Sequence, residues 1–207
     1  MTTTRTLLTS TLVLATAITL ASCSSDTSSG TSGMNGMSGS SSSATAAPSS
    51  SADAGQDFND QDVTFATMMK PHHEQAVEMA DMILAKDGIS ADVTDLATQI
   101  KDAQGPEITQ LEEWITAWGG DDSMSGMDHS MDGMMSDEDM SALEDATGVD
   151  AEKLFLEQMM QHHEGAVEMA KTEINDGQNP DAIKLANTIV QTQTEEIATM
   201  QDLLATR

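Results

Sequence analysis

Residues 65–80 read FATMMKPHHEQAVEMA, and residues 155–170 read FLEQMMQHHEGAVEMA, ninety positions later. Ten of the sixteen positions are identical, so the chain carries one local structure twice. In both copies the apolar residues recur at three- and four-residue intervals, the signature of a helix with one buried face. Strand-like alternation is absent throughout the sequence. Each copy is followed by a break, Asp87-Gly88 in one half and Asn179-Pro180 in the other, and then by a second helical stretch. A helical pair present twice buries its stripes most economically by setting one hairpin against the other. The expected fold is therefore all-α, a four-helix bundle made of two duplicated antiparallel hairpins.

The helix boundaries follow from stop and start signals. The first helix is expected from about Asp60 to Lys86. The second runs from Ala91 to Trp118, with Ser90 as its N-cap, Gly119-Gly120 as its end, and a kink at Gly105-Pro106. A short helix is expected from Asp137 to Ala146. The third long helix spans about Ala151 to Asn175, with Asp150 as cap. The fourth starts at Asn179-Pro180, a cap followed by proline at the first helical position, and continues almost to Arg207. This bundle occupies residues 58–207, with a Met-rich loop at 119–136.

Ahead of it, residues 1–22 have the parts of a secretory signal: Arg5 in a short leading segment, then an apolar stretch from Leu7 to Leu20. The stretch is short and broken by threonines, which argues against a permanent transmembrane helix. The run Leu20-Ala21-Ser22-Cys23 looks like a bacterial lipobox, with Cys23 as the lipidation site and a membrane-anchored, exported product. Residues 23–57 are rich in Ser, Gly, Thr and Ala and read as a flexible tether, with Met34 and Met37 as isolated interruptions.

Cys23 is the single cysteine, so soft-metal chemistry in this chain must rely on Met and His. The 35 acidic residues against 8 basic ones exclude nucleic acid and anionic lipid as partners of the folded part.

At about 100° per residue, the first helix buries Phe65, Met69, Ala76, Ala80 and Ile83, with His72 and His73 flanking the centre of that stripe and Met79 above His72. Glu74 and Glu78 point outward. The other copy repeats this with Phe155, Met159, His162, His163, Ala166, Met169 and Ala170 inward and Glu164 and Glu168 outward. In the second helix of each hairpin the apolar stripes are Leu96, Ile100, Ala103, Leu111 and Trp114, and Leu185, Ile189, Thr192, Met200 and Leu203. Glu107 and Glu196 fall in the middle of these stripes, with Gln104 and Gln193 at the edge. Buried carboxylates need a partner or a metal, and the same insertion in both halves is not accidental.

Imidazole and thioether together suit soft or borderline metals, copper above all, with iron or zinc as alternatives. The candidate ligands in the bundle are His72, His73, His162, His163, Met69, Met79, Met159, Met169, Glu107 and Glu196. The loop adds Met124, Met127, His129, Met131, Met134 and Met135, thioethers with no core to fill, of the kind that Cu(I) or Ag(I) favours. Two other readings stay open. One is a di-metal redox enzyme, although the Glu-x-x-His motif of di-iron bundles is missing, because Met69 and Met159 stand three residues before His72 and His162. The other is a metal-free lipoprotein in which Glu107 and Glu196 accept hydrogen bonds from the four imidazoles. No nucleophile motif, phosphate loop or nucleotide signature is present.

On M-x-x-H-H-E-x-A-V-x-M-A in both halves, and on Gln104–Ile108 and Gln193–Ile197 in the second helices, the chain resembles the bacterial family named domain of unknown function 305, some members of which bind copper. The resemblance covers roughly residues 58–207. It implies a ferritin-like four-helix bundle, export from the cytoplasm, and in some members copper binding linked to tolerance. By residue, it implies a ligand role for His72, His73, His162 and His163, with Met69, Met79, Met159 and Met169 as candidate sulfur ligands. Pro71 of the first copy is Gln161 in the second, so the two halves need not be equivalent.

Overall fold

The structure is a computed structural model that describes residues 57–120 and 132–207. The signal segment, Cys23, the tether, and Met124, Met127, His129 and Met131 lie outside the described residues. Regular structure among the described residues is all helical: α1 (Asp60–Leu84), α2 (Ala91–Trp118), α3 (Asp137–Asp145), α4 (Gly148–Asp176) and α5 (Pro180–Leu204). None of these helices is long and apolar enough to cross a membrane.

The ends are set by local chemistry. Asn59 and Asp62 form a capping box that opens α1. Gly119, at φ 73, closes α2 in the left-handed conformation that glycine adopts without strain. Asn179 accepts hydrogen bonds from the N–H groups of Asp181 and Ala182, and Pro180 occupies the first turn of α5. One boundary expectation needs correction. Helix α4 begins at Gly148, after Thr147 in the cap position, and Asp150 lies inside its first turn. Helix α2 continues unbroken through Pro106, as α1 does through Pro71.

Helix α1 packs on α2, α4 packs on α5, and the two hairpins meet through α1 and α4. Short α3 lies against both of these helices and buries Leu143 beneath it. Two buried carboxylates show that α1 and α4 run antiparallel. Asp62, near the start of α1, accepts from the Gln178 and Asn179 N–H groups just beyond the end of α4. Glu152, in the position equivalent to Asp62, accepts from the Ser90 N–H just beyond the end of α1 and pairs with Arg207. Each hairpin is thereby tied to the link of the other.

The core is divided. One apolar cluster unites Ala76, Met79, Ala80 and Ile83 of α1 with Val93, Leu96, Ala97 and Ile100 of α2. From the second hairpin it takes Phe155, Leu156, Met159 and Met200. The other cluster joins Phe65, Ala66 and Met69 to Leu111, Ile115, Trp118, Ala166, Ala170, Ala186 and Ile189. Trp118 stacks between Phe58 and Trp114 at that end, which makes the tryptophans packing residues. Neither cluster includes the histidines.

Candidate metal centre

Between the two clusters lies a layer of polar side chains. Helices α2 and α5 bury a heptad-like series: Val93, Ala97, Ile100, Gln104, Leu111 and Trp118 in one, and Ala182, Ala186, Ile189, Gln193, Glu196 and Met200 in the other. Gln104 and Gln193 are fully buried parts of the stripe, whereas Ala103 and Thr192, expected inside, face solvent. Glu196 is buried, and its counterpart Glu107 keeps 17% of its side chain exposed. With His72, His73, His162 and His163, all buried, these make a layer of four imidazoles, two amides and two carboxylates.

The four imidazoles have two different environments. His73 Nε2 lies 2.8 Å from Glu107 Oε2, and His163 Nε2 lies 2.7 Å from Glu196 Oε2. An ionised carboxylate can only accept, so in the neutral form of the imidazole these bonds place the ring proton on Nε2 and leave Nδ1 as a bare lone pair. Both Nδ1 atoms are buried without a hydrogen-bond partner. This is the arrangement by which a carboxylate orients a histidine for metal binding. The two glutamates therefore stand behind ligand candidates, each held by an imidazole.

His72 and His162 face each other, one from each hairpin, with ring centroids 3.7 Å apart and planes inclined by 42°. No nitrogen of either ring makes a well-formed hydrogen bond, although the Asp132 carbonyl approaches His72 and the His72 carbonyl approaches His162. Four orphaned nitrogens in a dry interior are unusual, since each unmade bond costs about 1–3 kcal/mol. Burial, reinforced by His73 and His163, lowers the His72 pKa to about 3, against the opposing pull of the Asp132 carbonyl. Burial and the surrounding histidines likewise hold His162 well below its ordinary value. Both rings are therefore neutral at physiological pH, the form in which imidazole binds a metal. The imidazole lone pairs lie in the ring planes, so it is the ring edges that could meet an ion.

The candidate sulfurs divide between the sides of the layer. Met69 and Met169 belong to the cluster on one side, Met79 and Met159 to that on the other. Met69, Met79 and Met159 are fully buried, but Met169 is only partly so, a departure from equivalence between the halves. No three His, Asp, Glu or Cys side chains among the described residues form a ready-made ligand set. The layer holds the imidazoles, and the candidate thioethers belong to the apolar clusters that flank it, the ligand types that suit a soft ion.

Of the loop methionines, Met134 is partly buried, and Met135 is buried in the cluster with Met79 and Met159. The Gln75 side chain holds the Met135 backbone through two hydrogen bonds, 2.9 Å to its carbonyl and 2.8 Å from its N–H. On α4, Gly165 takes the place of Gln75, and Asp132-Gly133 packs directly on it. The end of the Met-rich loop is thus seated on both histidine helices.

Sequence reasoning missed three buried acids. Glu173 replaces Ile83 of the first copy and sits beside Asp62. Burial, then the hydrogen bond and charge of Asp62, pushes the Glu173 carboxyl up to about 8. Burial opposes ionisation of Asp62, but backbone N–H groups of Asn59, Asn179 and Gln178 and the Glu173 carboxyl outweigh it and lower its pKa. Glu173 is the protonated partner of the pair. The signal for Asp62 and Glu152 was available, since both are acidic at the ninety-residue offset ahead of Phe65 and Phe155.

Comparison with solved structures agrees with this architecture. A Streptomyces coelicolor protein described as secreted is 32% identical, with a TM-score of 0.65 over 70% of this chain and 91% of its own. A fragment from Deinococcus radiodurans is 31% identical, with a TM-score of 0.66 over 73% of this chain and all of its own. CopM in its Cu(I)-bound form is 30% identical, with a TM-score of 0.59 over 70% of this chain and 96% of its own, and CopM is also known in Cu(II)-bound and Ag-bound forms. No protein of curated function matches the chain. The pattern of the family described as domain of unknown function (DUF305) matches residues 62–204, most of the sequence, and the chain belongs to that family.

Proposed function

We propose that this protein binds copper outside the cytoplasm, for sequestration or hand-over, through the histidine and methionine side chains of its central layer. The observation that carries the reading is the set of unpartnered, neutral imidazole nitrogens on His72 and His162, buried at the junction of the hairpins. His73 and His163 present further lone pairs at Nδ1, fixed by Glu107 and Glu196. Met69, Met79, Met159 and Met169 supply thioether sulfur, which favours Cu(I) over harder ions. The likeness to CopM in copper- and silver-bound forms supports the same metal class. Met124, Met127, His129, Met131 and Met134 are assigned to capture and exchange, and Cys23 to a lipid anchor on the outer face of the membrane.

The test is a Cu(I) titration of the chain from residue 24 onward against a chromophoric chelator of known affinity. The expected result is stoichiometric withdrawal of copper that is lost when His72, His73, His162 and His163 are all changed to Ala. Equal affinity in that variant would sink the central-layer assignment. A metal-free layer bonded to Glu107 and Glu196 accounts for His73 and His163, whereas His72 and His162 have no carboxylate partner. A di-metal carboxylate enzyme requires Glu107 and Glu196 to bridge ions, whereas each is engaged by an imidazole.

A further inference from the structure

We propose that residues 132–135 form a strap that closes the α1–α4 seam over His72 and His162 and sets the rate at which ions enter and leave. The proposal rests on the copper-binding reading for its cargo but not for its geometry. Its basis is a position where the two repeats differ. Three residues beyond His72 the first copy has Gln75, and three residues beyond His162 the second has Gly165. Each makes a different seat for the same segment.

Gln75 acts as a clamp, donating from Nε2 to the Met135 carbonyl and accepting from the Met135 N–H. Gly165 gives close approach. A Cβ at residue 165 would lie 2.1 Å from the Asp132 carbonyl oxygen, and one at residue 133 would lie 2.9 Å from the Gly165 Cα. Gly133 itself has φ +90, a conformation open to glycine, which turns the segment from one helix toward the other. Met135 then anchors the strap by burying its side chain among Met79, Met159 and Leu143.

A side chain at 165 would prevent this seating, and an apolar residue at 75 would lose both bonds. The seam beneath holds two imidazoles that are essentially inaccessible. The approach from the opposite side, between α2 and α5, meets Glu107, already bonded to His73. Passage through the seam needs the strap to lift, and Gln75 and Gly165 set how often it does.

The experiment uses the full chain and the variants Gln75→Ala and Gly165→Ala, with helix content checked by circular dichroism. Two readouts are taken: the rate at which diethyl pyrocarbonate modifies His72 and His162 in metal-free protein, and the rate of Cu(I) transfer to a chelator. Each neutral hydrogen bond is worth a factor of about two to ten, so Gln75→Ala is expected to raise both rates about tenfold. The amount of copper bound at saturation is expected to stay unchanged. Wild-type modification rates in a folded Gln75→Ala variant would overturn the strap and point to entry between α2 and α5. If Gly165→Ala fails to fold, Gln75→Ala decides the matter. If the wild-type chain takes up no copper, the functional reading falls, while the modification rates still judge the strap.

Discussion

Replacing Glu196 by Gln changes one carboxylate oxygen for an amide nitrogen and leaves the volume nearly constant. In the native layer Glu196 accepts from His163 Nε2 at 2.7 Å, with only 7% of its side chain exposed, so no water can take its place. The lost charge-assisted bond is worth about 1.5–3 kcal/mol. For a bundle of this size that is a fall in Tm of roughly 3–12 °C. The effect on the metal is of a different kind. The Gln carbonyl can still accept from Nε2–H, but without charge; turned the other way, its N–H drives the ring proton onto Nδ1 and removes the lone pair that the carboxylate holds ready. Changing the group that orients a metal-binding histidine lowers metal affinity about 10–100-fold. Glu107→Gln should do less on both counts, because Glu107 is 17% exposed and water can compensate. The assays are chelator competition for Cu(I) affinity and nitrogen-15 NMR for the tautomer of His163 in the metal-free protein. An unchanged tautomer with native affinity in Glu196→Gln would refute the argument that the carboxylate prepares the ligand.

Other consequences can be measured independently. With His72 lowered to about 3 in the fold and near 6.5 when unfolded, the unfolded chain takes up its proton first on acidification. The native state is therefore fully favoured above pH 6.5 and loses about 2 kcal/mol at pH 5 from this residue, with His162 adding in the same direction. Urea unfolding at pH 7 and pH 5 should show a loss that disappears in a His72→Leu/His162→Leu variant. Glu173 has the opposite sign: its carboxyl is raised to about 8, so its contribution is present below pH 4.5 and lost as pH rises through 8. Glu173→Gln should accordingly gain stability on wild type at pH 8 and not at pH 4.5, by the same unfolding measurement. Met69→Leu with Met159→Leu conserves core volume, so stability should change by less than about 1.5 kcal/mol per site, while Cu(I) affinity falls in the competition assay.

The α1 and α4 stripes were legible because histidine, methionine and alanine keep the helical period and the outward glutamates interrupt it cleanly. Caps with a strong local signature, Asn179-Pro180 and Gly119, were equally plain. The α2 and α5 stripes were read one residue off at their centres. Ala103 and Thr192 are less polar than their neighbours Gln104 and Gln193, yet the 3–4 spacing through Ile100, Gln104, Glu107 and Leu111 turns the amides inward. The N-terminal turn of α4 was lost because Gly148, with φ 55, reads as loop. The reach of Asp62 to Gln178 and Asn179 spans more than a hundred residues, and no local rule predicts it. The pairing of His72 with His162 is of the same kind: its parts were visible, and their meeting depended on how α1 and α4 cross.

That meeting has a consequence for symmetry. When two residues from the same position of a repeat touch each other, the twofold axis relating the repeats passes between them. His72 and His162 mark this axis, so under the proposed copper reading an ion held by them would draw on both halves of the chain. Off the axis the copies are free to diverge, as Gln75 and Gly165 have, and Ile83 and Glu173. A dimer of identical hairpins would offer two straps to one axial seam, and neither could cross it without displacing the other. A peptide that crosses a twofold axis can be present only once, and joining the halves in one chain is what allows it.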